Sequence, residues 1–185
     1  GGQKQNCKIG GVRWFQVFFR HRFRFQLDAL LQPPRRRFCA LSIGALLGMA
    51  EHLEGKGCTV LDQAGLAQKF GPVISHIRVA AKQEDIYAVR IAAGETDLLL
   101  GCDLVVAASE ESLAKLNDKI AHAVINSYEA ATAEFTRNPD AQVPGAAMRE
   151  ALVEAVGEGK TYFVDATHLA TRLLGDSIAS NLFMV

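Results

Sequence analysis

The chain has only four cysteines, and none of them lies in a disulfide or metal-binding pattern. Cys7, Cys39, Cys58 and Cys102 are far apart, with no C-x-x-C pair and no histidine at ligand spacing. These spacings argue against a disulfide framework and against an iron–sulfur or zinc site formed by this segment alone. We therefore predict no metal ligands here, and the reducing cytoplasm as the location.

Long apolar runs are also lacking. No stretch approaches the roughly 18 consecutive apolar residues of a transmembrane helix, and arginines scattered through the early phenylalanine-rich stretch do not fit a signal peptide. With 185 residues, of which 49% are hydrophobic and 22% charged, the chain is instead long enough for one globular domain with its own core. We expect no membrane partner.

Acidic residues are almost absent from the first 40 positions, which hold nine Lys/Arg and one acid, Asp28. The remaining positions hold eleven Lys/Arg and nineteen Asp/Glu. The net charge of zero is therefore the sum of +8 (9 − 1) for residues 1–40 and −8 (11 − 19) for residues 41–185. Arginines interleaved with aromatic residues are typical of nucleic-acid surfaces and of amphipathic membrane contacts. We favour a third interpretation, in which residues 1–40 were not selected as part of the domain and derive from out-of-frame translation or a cloning remnant. Nucleic acid is then not the expected partner.

Beyond residue 41, segments of helical periodicity alternate with short apolar segments. We predict helices over 43–53, from 109, over 145–156 and 166–174, and from 177 onward, and strands over 59–61, 72–81, 87–92, 104–108, 122–126 and 161–164. This alternation predicts a three-layer, Rossmann-like α/β domain with a mostly parallel sheet and flanking helices.

Two polar loops are predicted beyond the carboxyl ends of strands, where open α/β sheets bind ligands. The loop over 62–71 contains Gly65 and Gly71, which allow close backbone approach, and the cation Lys69. It suggests a phosphate-binding loop but fits no Walker pattern, so a solvated glycine-containing loop explains it as well. The second loop, over 126–129, has polar side chains that suit a ligand or a simple turn equally.

His76 and Arg78 share one face of the predicted strand over 72–81, opposite Val73, Ile77 and Val79. Two basic side chains there could bind an anionic ligand or a carboxylate of a neighbouring subunit, although a histidine satisfied by local hydrogen bonds is the commoner case. No Ser/His/Asp or Cys/His arrangement follows from the spacing, so we predict no catalytic residue.

Several of these stretches together resemble a known domain. They are 62–69 (DQAGLAQK), 75–78 (SHIR), 92–103 (AAGETDLLLGCD), 133–139 (AEFTRNP) and 174–184 (LGDSIASNLFM). They resemble the gamma domain of the 2-oxoacid:ferredoxin oxidoreductases, and most of all that of the long, fused bacterial indolepyruvate ferredoxin oxidoreductases. The resemblance covers about 41–185 and is spread over many positions.

The resemblance implies an enzyme that oxidatively decarboxylates an aryl pyruvate to an aryl-acetyl-CoA and passes electrons to ferredoxin. The complete enzyme would use thiamine diphosphate, [4Fe-4S] clusters and coenzyme A, and would be a homo-oligomer. Its thiamine-diphosphate-binding and iron–sulfur domains would be the partners of this domain, which is architectural and contacts coenzyme A. On this basis the expected ligand-facing residues are Gly65, Gln68, Lys69, Gly71, Asn126, Ser127 and Glu129.

The sequence departs from this family ahead of the first predicted helix. Such domains begin with a strand and a G-x-G-G-x-G turn, whereas residues 35–42 here contain no glycine. We therefore expect the first strand and the glycine-rich turn to be missing, with the domain, 41–185, truncated at both ends. The competing hypothesis is a stand-alone α/β binding module whose basic arm, 1–40, contacts nucleic acid or another anionic partner.

Overall fold

The computed structural model describes residues 13–20, 41–64, 72–117, 119–129 and 144–185. The strands are β1 (Arg13–Arg20), β2 (Gly57–Ala64), β3 (Pro72–Ala80), β4 (Leu98–Gly101), β5 (His122–Asn126) and β6 (Thr161–Val164). The α-helices are α1 (Leu41–Leu53), α2 (Leu104–Ala107), α3 (Glu110–Leu113), α4 (Gly145–Val156) and α5 (Ala166–Leu174). In the described part of the chain, 3₁₀ helices span Gln83–Asp85, Glu158–Lys160 and Ser177–Met184, and the last is called the final 3₁₀ helix below.

The six strands form one sheet in the order β2-β3-β1-β4-β5-β6. β1, β4, β5 and β6 pair in parallel, while β3 is antiparallel to both β1 and β2. Among the described strands, β3 alone therefore runs against the others, and the predicted α/β fold with a mostly parallel sheet is confirmed. Because five strands point the same way, their carboxyl ends meet at one edge of the sheet, which we call the carboxyl edge.

A strand does precede α1, contrary to our expectation that the first strand is missing. Arg13–Arg20 lies between β3 and β4, antiparallel to the former and parallel to the latter. Its sequence, RWFQVFFR, is rich in aromatic and β-branched residues, which favour a strand, and a central position gives its backbone partners on both sides. Part of the basic segment thus belongs to the sheet. The place of the expected glycine-rich turn lies outside the described residues.

The region from 87 to 107 differs most from the prediction. The apolar run at 104–108, predicted as a strand, begins helix α2, because the Asp103 carboxylate accepts a hydrogen bond from Val106 N at 3.0 Å and caps the helix. The strand is the preceding Leu98–Gly101. The strand predicted over 87–92 is instead an irregular loop. Short apolar runs do not reveal their period, which explains both errors.

Helices on both faces of the sheet enclose two hydrophobic clusters. The cluster toward α2 and α4 contains Ile74, Leu99, Leu104, Val106, Ala107, Leu116, Ala121, Ala123, Ile125, Leu152 and Val156. The cluster toward α1, α5 and the final 3₁₀ helix contains Ile43, Val73, Ile77, Val79, Leu100, Ala166 and Met184. The predicted alternation of β3 is confirmed, since Ile74 points to one cluster and Val73, Ile77 and Val79 to the other.

The helices of the described part are too short or too polar to cross a membrane.

Candidate functional site

The carboxyl edge includes described residues from both loops predicted to face a ligand or from their flanks. Gly65, Gln68, Lys69 and Gly71 lie outside the described residues, but the residues that flank them, Ala64 and Pro72, lie at this edge as paired members of β2 and β3. Asn126 ends β5 at the same edge. The predicted position of the loop at 126–129 beyond the end of a parallel strand is confirmed, whereas contact of either loop with a ligand stays a prediction.

Asn126 links three elements at the carboxyl edge. Its buried side chain donates from Nδ2 to the carbonyl oxygen of Cys102 at 3.2 Å and to Thr167 Oγ1 at 2.8 Å. Its Oδ1 accepts a hydrogen bond from Tyr128 N at 3.4 Å. The amide thus holds together the ends of β4 and β5 and the first turn of α5. Thr167, 41 positions away, is a partner that sequence reasoning missed, since no local pattern connects the two.

Ser127 and Glu129 are held against α4 by Arg149. The Arg149 guanidinium donates from Nη2 to the carbonyl oxygen of Ser127 at 3.0 Å and to Glu129 Oε1 at 3.2 Å, and it lies 5.6 Å from the ring centre of Phe163. Ser127 N donates to the carbonyl oxygen of Val164 at 2.9 Å. Arg149 was also missed, because only the fold brings α4 to this loop.

The first residue of α4 completes this contact. A Cβ atom at Gly145 would collide with the carboxylate of Glu129. The absence of a side chain at Gly145 therefore lets a carboxylate lie close to the N-terminal end of the helix, where the helix dipole favours negative charge.

His76, in β3, is fully buried and is satisfied within the protein. Its Nε2 lies 2.9 Å from Gln63 Oε1, and its Nδ1 lies 3.3 Å from Ile91 N. Because Ile91 N is a donor and Gln63 Oε1 an acceptor, the imidazole is neutral with its proton on Nε2. Burial, reinforced by the charges of Lys115 and Arg90, lowers the pKa of His76 from 6.5 to about 4. Of the interpretations left open, local hydrogen bonding is the one that fits.

Arg78 holds the irregular loop that follows β3. Its Nη2 donates to the carbonyl oxygen of Arg90 at 2.6 Å and lies 3.4 Å from Glu95 Oε2, which also accepts from Ala92 N at 3.1 Å. A buried guanidinium and a half-exposed carboxylate thus fix the loop from both sides. The carboxylate partner is in the same chain, not in a neighbouring subunit.

The described residues do not fit an iron–sulfur cluster or thiamine diphosphate. Burial raises the pKa of the Cys58 and Cys102 thiols, which disfavours the thiolate form that binds iron. Within the described ranges, no three His, Cys, Asp or Glu side chains come together as a metal site. At the end of β5, the amide of Asn126 is engaged internally and the carboxylate of Glu129 disfavours a diphosphate.

Comparison with known proteins identifies the family. The family model described as pyruvate ferredoxin/flavodoxin oxidoreductase matches residues 40–185. The crystal structure of subunit PORC of pyruvate oxidoreductase from Thermotoga maritima is similar, with a TM-score of 0.55 and 15% identity over 94% of this chain and 72% of that chain. At this identity the structural match shows the fold alone. No curated protein matches the chain. The extent of the family match shows that this chain belongs to the pyruvate ferredoxin/flavodoxin oxidoreductase family.

Proposed function

We propose that this chain is an architectural part of a 2-oxoacid:ferredoxin oxidoreductase whose substrate is an aryl pyruvate such as indolepyruvate. In this reaction a 2-oxoacid and coenzyme A give an acyl-CoA, carbon dioxide and a proton, and the electrons reduce ferredoxin in the cytoplasm. The family match over residues 40–185 is the observation that carries the proposal. The resemblance of stretches such as 92–103 to the indolepyruvate branch supports the aryl substrate.

The outer face of α1 supports a role within an assembly. Leu46, Met49 and Leu53 are exposed on a helix that is apolar nearly all round, and Leu53 is 80% exposed. Helices of this composition are normally buried, because an exposed apolar face is unfavourable in water. We assign the thiamine-diphosphate-binding and iron–sulfur domains as partners of this chain and ferredoxin as the electron acceptor of the complete enzyme.

Substrate class is tested on the assembled enzyme. This chain is co-expressed with polypeptides that carry the thiamine-diphosphate-binding and iron–sulfur domains of a 2-oxoacid:ferredoxin oxidoreductase, and 2-oxoacid-dependent reduction of ferredoxin is measured with indolepyruvate and with pyruvate. We expect kcat/KM to be at least about tenfold higher for indolepyruvate. A preference for pyruvate would refute the aryl substrate, and an enzyme equally active without this chain would refute its role in the assembly.

The contact with coenzyme A is assigned to the two loops of the carboxyl edge. Gly65, Gln68, Lys69 and Gly71 would face the phosphates, since glycines admit the backbone and Lys69 supplies a cation. Of the second loop, Ser127 and Glu129 would face the uncharged parts of the ligand, where the Glu129 carboxylate can accept a hydrogen bond from a hydroxyl or an amine. The buried Asn126, which was also predicted to face the ligand, would instead hold this loop in place. The common edge of Ala64 and Asn126 supports grouping the two loops.

Removing the Lys69 cation is expected to weaken coenzyme A binding alone. In the assembled enzyme, Lys69→Ala should raise KM for coenzyme A about tenfold, the effect of losing one charge-assisted contact, and leave KM for the 2-oxoacid unchanged. Lys82→Ala removes an exposed lysine from the described part of the chain and serves as the matched control. Equal KM values for coenzyme A in the two variants would count against the assignment.

A further inference from the structure

Tyr128 is an aromatic residue exposed at the carboxyl edge, and it was not among the residues predicted to face a ligand. It lies in the loop at 126–129, directly after the end of β5, and is 53% exposed. Within the described residues its hydroxyl takes part in no hydrogen bond. Tyr162 is 54% exposed, but its hydroxyl donates to the carbonyl oxygen of Gly159 at 3.2 Å. Tyr128 is thus a large, accessible ring whose polar end is left to a ligand or to water.

The loop holds its backbone in place on both sides of this ring. Tyr128 N donates to Asn126 Oδ1 at 3.4 Å, and the Asn126 side chain is buried and bonded to two further elements. Arg149 donates to the carbonyl oxygen of Ser127 at 3.0 Å and to Glu129 Oε1 at 3.2 Å. Because the backbone is ordered before any ligand arrives, little conformational entropy is lost when a ligand contacts the ring.

An ordered, exposed tyrosine suits a flat aromatic ligand. Its ring can stack on the face of another ring, and only two side-chain torsions have to be fixed. The position of Tyr128 also favours a ligand, since open α/β sheets bind ligands beyond the carboxyl ends of their strands. Tyr162 lies differently, because its hydroxyl is bonded to Gly159, which precedes β6 and so lies toward the opposite edge.

Glu129 distinguishes between the two aromatic groups of the proposed reaction, the aryl ring of the 2-oxoacid and the adenine of coenzyme A. Its Oε1 is bonded to Arg149, while its Oε2 accepts no hydrogen bond within the described residues. An aryl pyruvate carries its own carboxylate within a few bonds of its ring, and like-charge repulsion disfavours that group beside Glu129. Adenine is uncharged and has an amino group that donates hydrogen bonds. Adenine is therefore the ring that suits this position.

We propose that Tyr128 stacks on the adenine ring of coenzyme A and that Glu129 Oε2 accepts a hydrogen bond from the adenine amino group. The inference rests on the coenzyme A contact proposed above. It adds the residue that binds the base, whereas the loop at 62–71 is assigned to the phosphates.

Calorimetric titration of the assembled enzyme with coenzyme A, in the absence of 2-oxoacid, measures the stacking contact. We expect Tyr128→Ala to raise Kd at least about tenfold, as for the loss of one stacking ring, and Tyr128→Phe, which keeps the ring, to stay within about threefold. Tyr162→Ala removes an equally exposed tyrosine and should leave Kd within about twofold of the wild type. Circular dichroism verifies that the variants are folded.

A ligand without the base separates stacking from a general distortion of the loop. 4′-Phosphopantetheine lacks the adenosine part of coenzyme A, so its Kd should agree within about twofold between the wild type and Tyr128→Ala. An unchanged Kd for coenzyme A in Tyr128→Ala, or an equal loss for both ligands, would overturn the proposal. A rise in KM for indolepyruvate without a rise in Kd for coenzyme A would also overturn it, since the aryl ring would then be the occupant. Lys69→Ala tests the coenzyme A contact independently, so a failure of Tyr128→Ala alone leaves the proposed function standing.

Discussion

The free energy of unfolding is expected to fall steeply as the pH is lowered from about 6.5 toward 4, because His76 is buried as a neutral imidazole. Folding lowers the pKa of His76 from 6.5 to about 4. Between these values the unfolded chain binds a proton that the folded chain does not, so stability decreases as the pH falls. The part of the free energy of unfolding that depends on neutral His76 is fully present above about pH 6.5 and is lost at about pH 4. It is on the order of 3 kcal/mol in total.

The structural cause of this dependence is the loss of one hydrogen bond and the burial of one charge. A protonated imidazole carries hydrogen on both nitrogens, so Nδ1 can no longer accept from Ile91 N. Lys115, Arg90 and Arg78 oppose the added charge, while Glu111 favours it. Protonation of His76 therefore detaches the irregular loop over 86–97 at Ile91. We expect that loop to open at a higher pH than the rest of the domain.

Urea unfolding at pH 7.0, 5.5 and 4.5 measures the effect. His76→Gln retains a polar side chain without a titrating group and should flatten the dependence above pH 4.5, whereas His122→Gln, at an exposed histidine, should retain it. Glu111, whose pKa is lowered by its hydrogen bond to Lys115, contributes mainly at lower pH, since a lowered carboxyl pKa gives stability that is lost only below its ordinary range. Parallel curves for the wild type and His76→Gln would show that His76 is not the cause.

Replacing Gly57 by alanine is expected to destabilise the domain by about 3 kcal/mol, at the upper end for overpacking. A Cβ atom at this buried position would lie 2.5 Å from Gln83 N, from the carbonyl carbon of Lys82 and from its oxygen. All three are backbone atoms, so no side chain can rotate away. The 82–83 backbone must move, and with it the hydrogen bond of 3.0 Å from Cys58 N to Gln83 Oε1.

Thermal unfolding followed by circular dichroism measures this loss. For a domain of this size, about 3 kcal/mol corresponds to a fall in Tm of roughly 6 to 12 °C. Gly159→Ala is the matched control, because a Cβ atom there meets nothing within 4 Å. That variant should keep the Tm of the wild type within about 2 °C or raise it slightly, since alanine also restricts the unfolded chain. A Tm for Gly57→Ala within the same 2 °C margin would contradict the close approach.

The elements that were predicted best are those whose ends are marked by capping residues in the local sequence. α4, β6 and α5 have the expected limits, because Gly157 and Gly175 end the two helices and Asp165 caps the second. α2 was predicted as a strand and β4 was not predicted, because the run from 98 to 107 is apolar except at Asp103, and the cap at Asp103 is visible only once the helix exists. β1 was missed because aromatic residues interleaved with arginine were interpreted as a binding surface or as residues outside the domain, and not as a strand.

The sequence allowed us to predict where the loop at 126–129 lies, but not which residues its side chains and backbone contact. The loop at 126–129 could be placed at the carboxyl edge from strand order alone, since the end of a parallel strand has a fixed side. Its contacts to Thr167 and Arg149 join residues 41 and 22 positions apart, and local sequence has no signal for such pairs. The neutral state of His76 likewise depends on Ile91 N, a backbone group contributed by a loop that was predicted to be a strand.

The central place of β1 has a practical consequence for anyone who divides this chain by homology. The family match begins at residue 40, yet the strand that joins β3 to β4 lies some twenty residues earlier. A truncation at the start of the match would retain every recognisable position and cut the sheet into two pieces, β2-β3 and β4-β5-β6. The start of the family match is therefore not the start of the sheet. β1, which lies outside the match, is the strand that connects the two halves of the sheet.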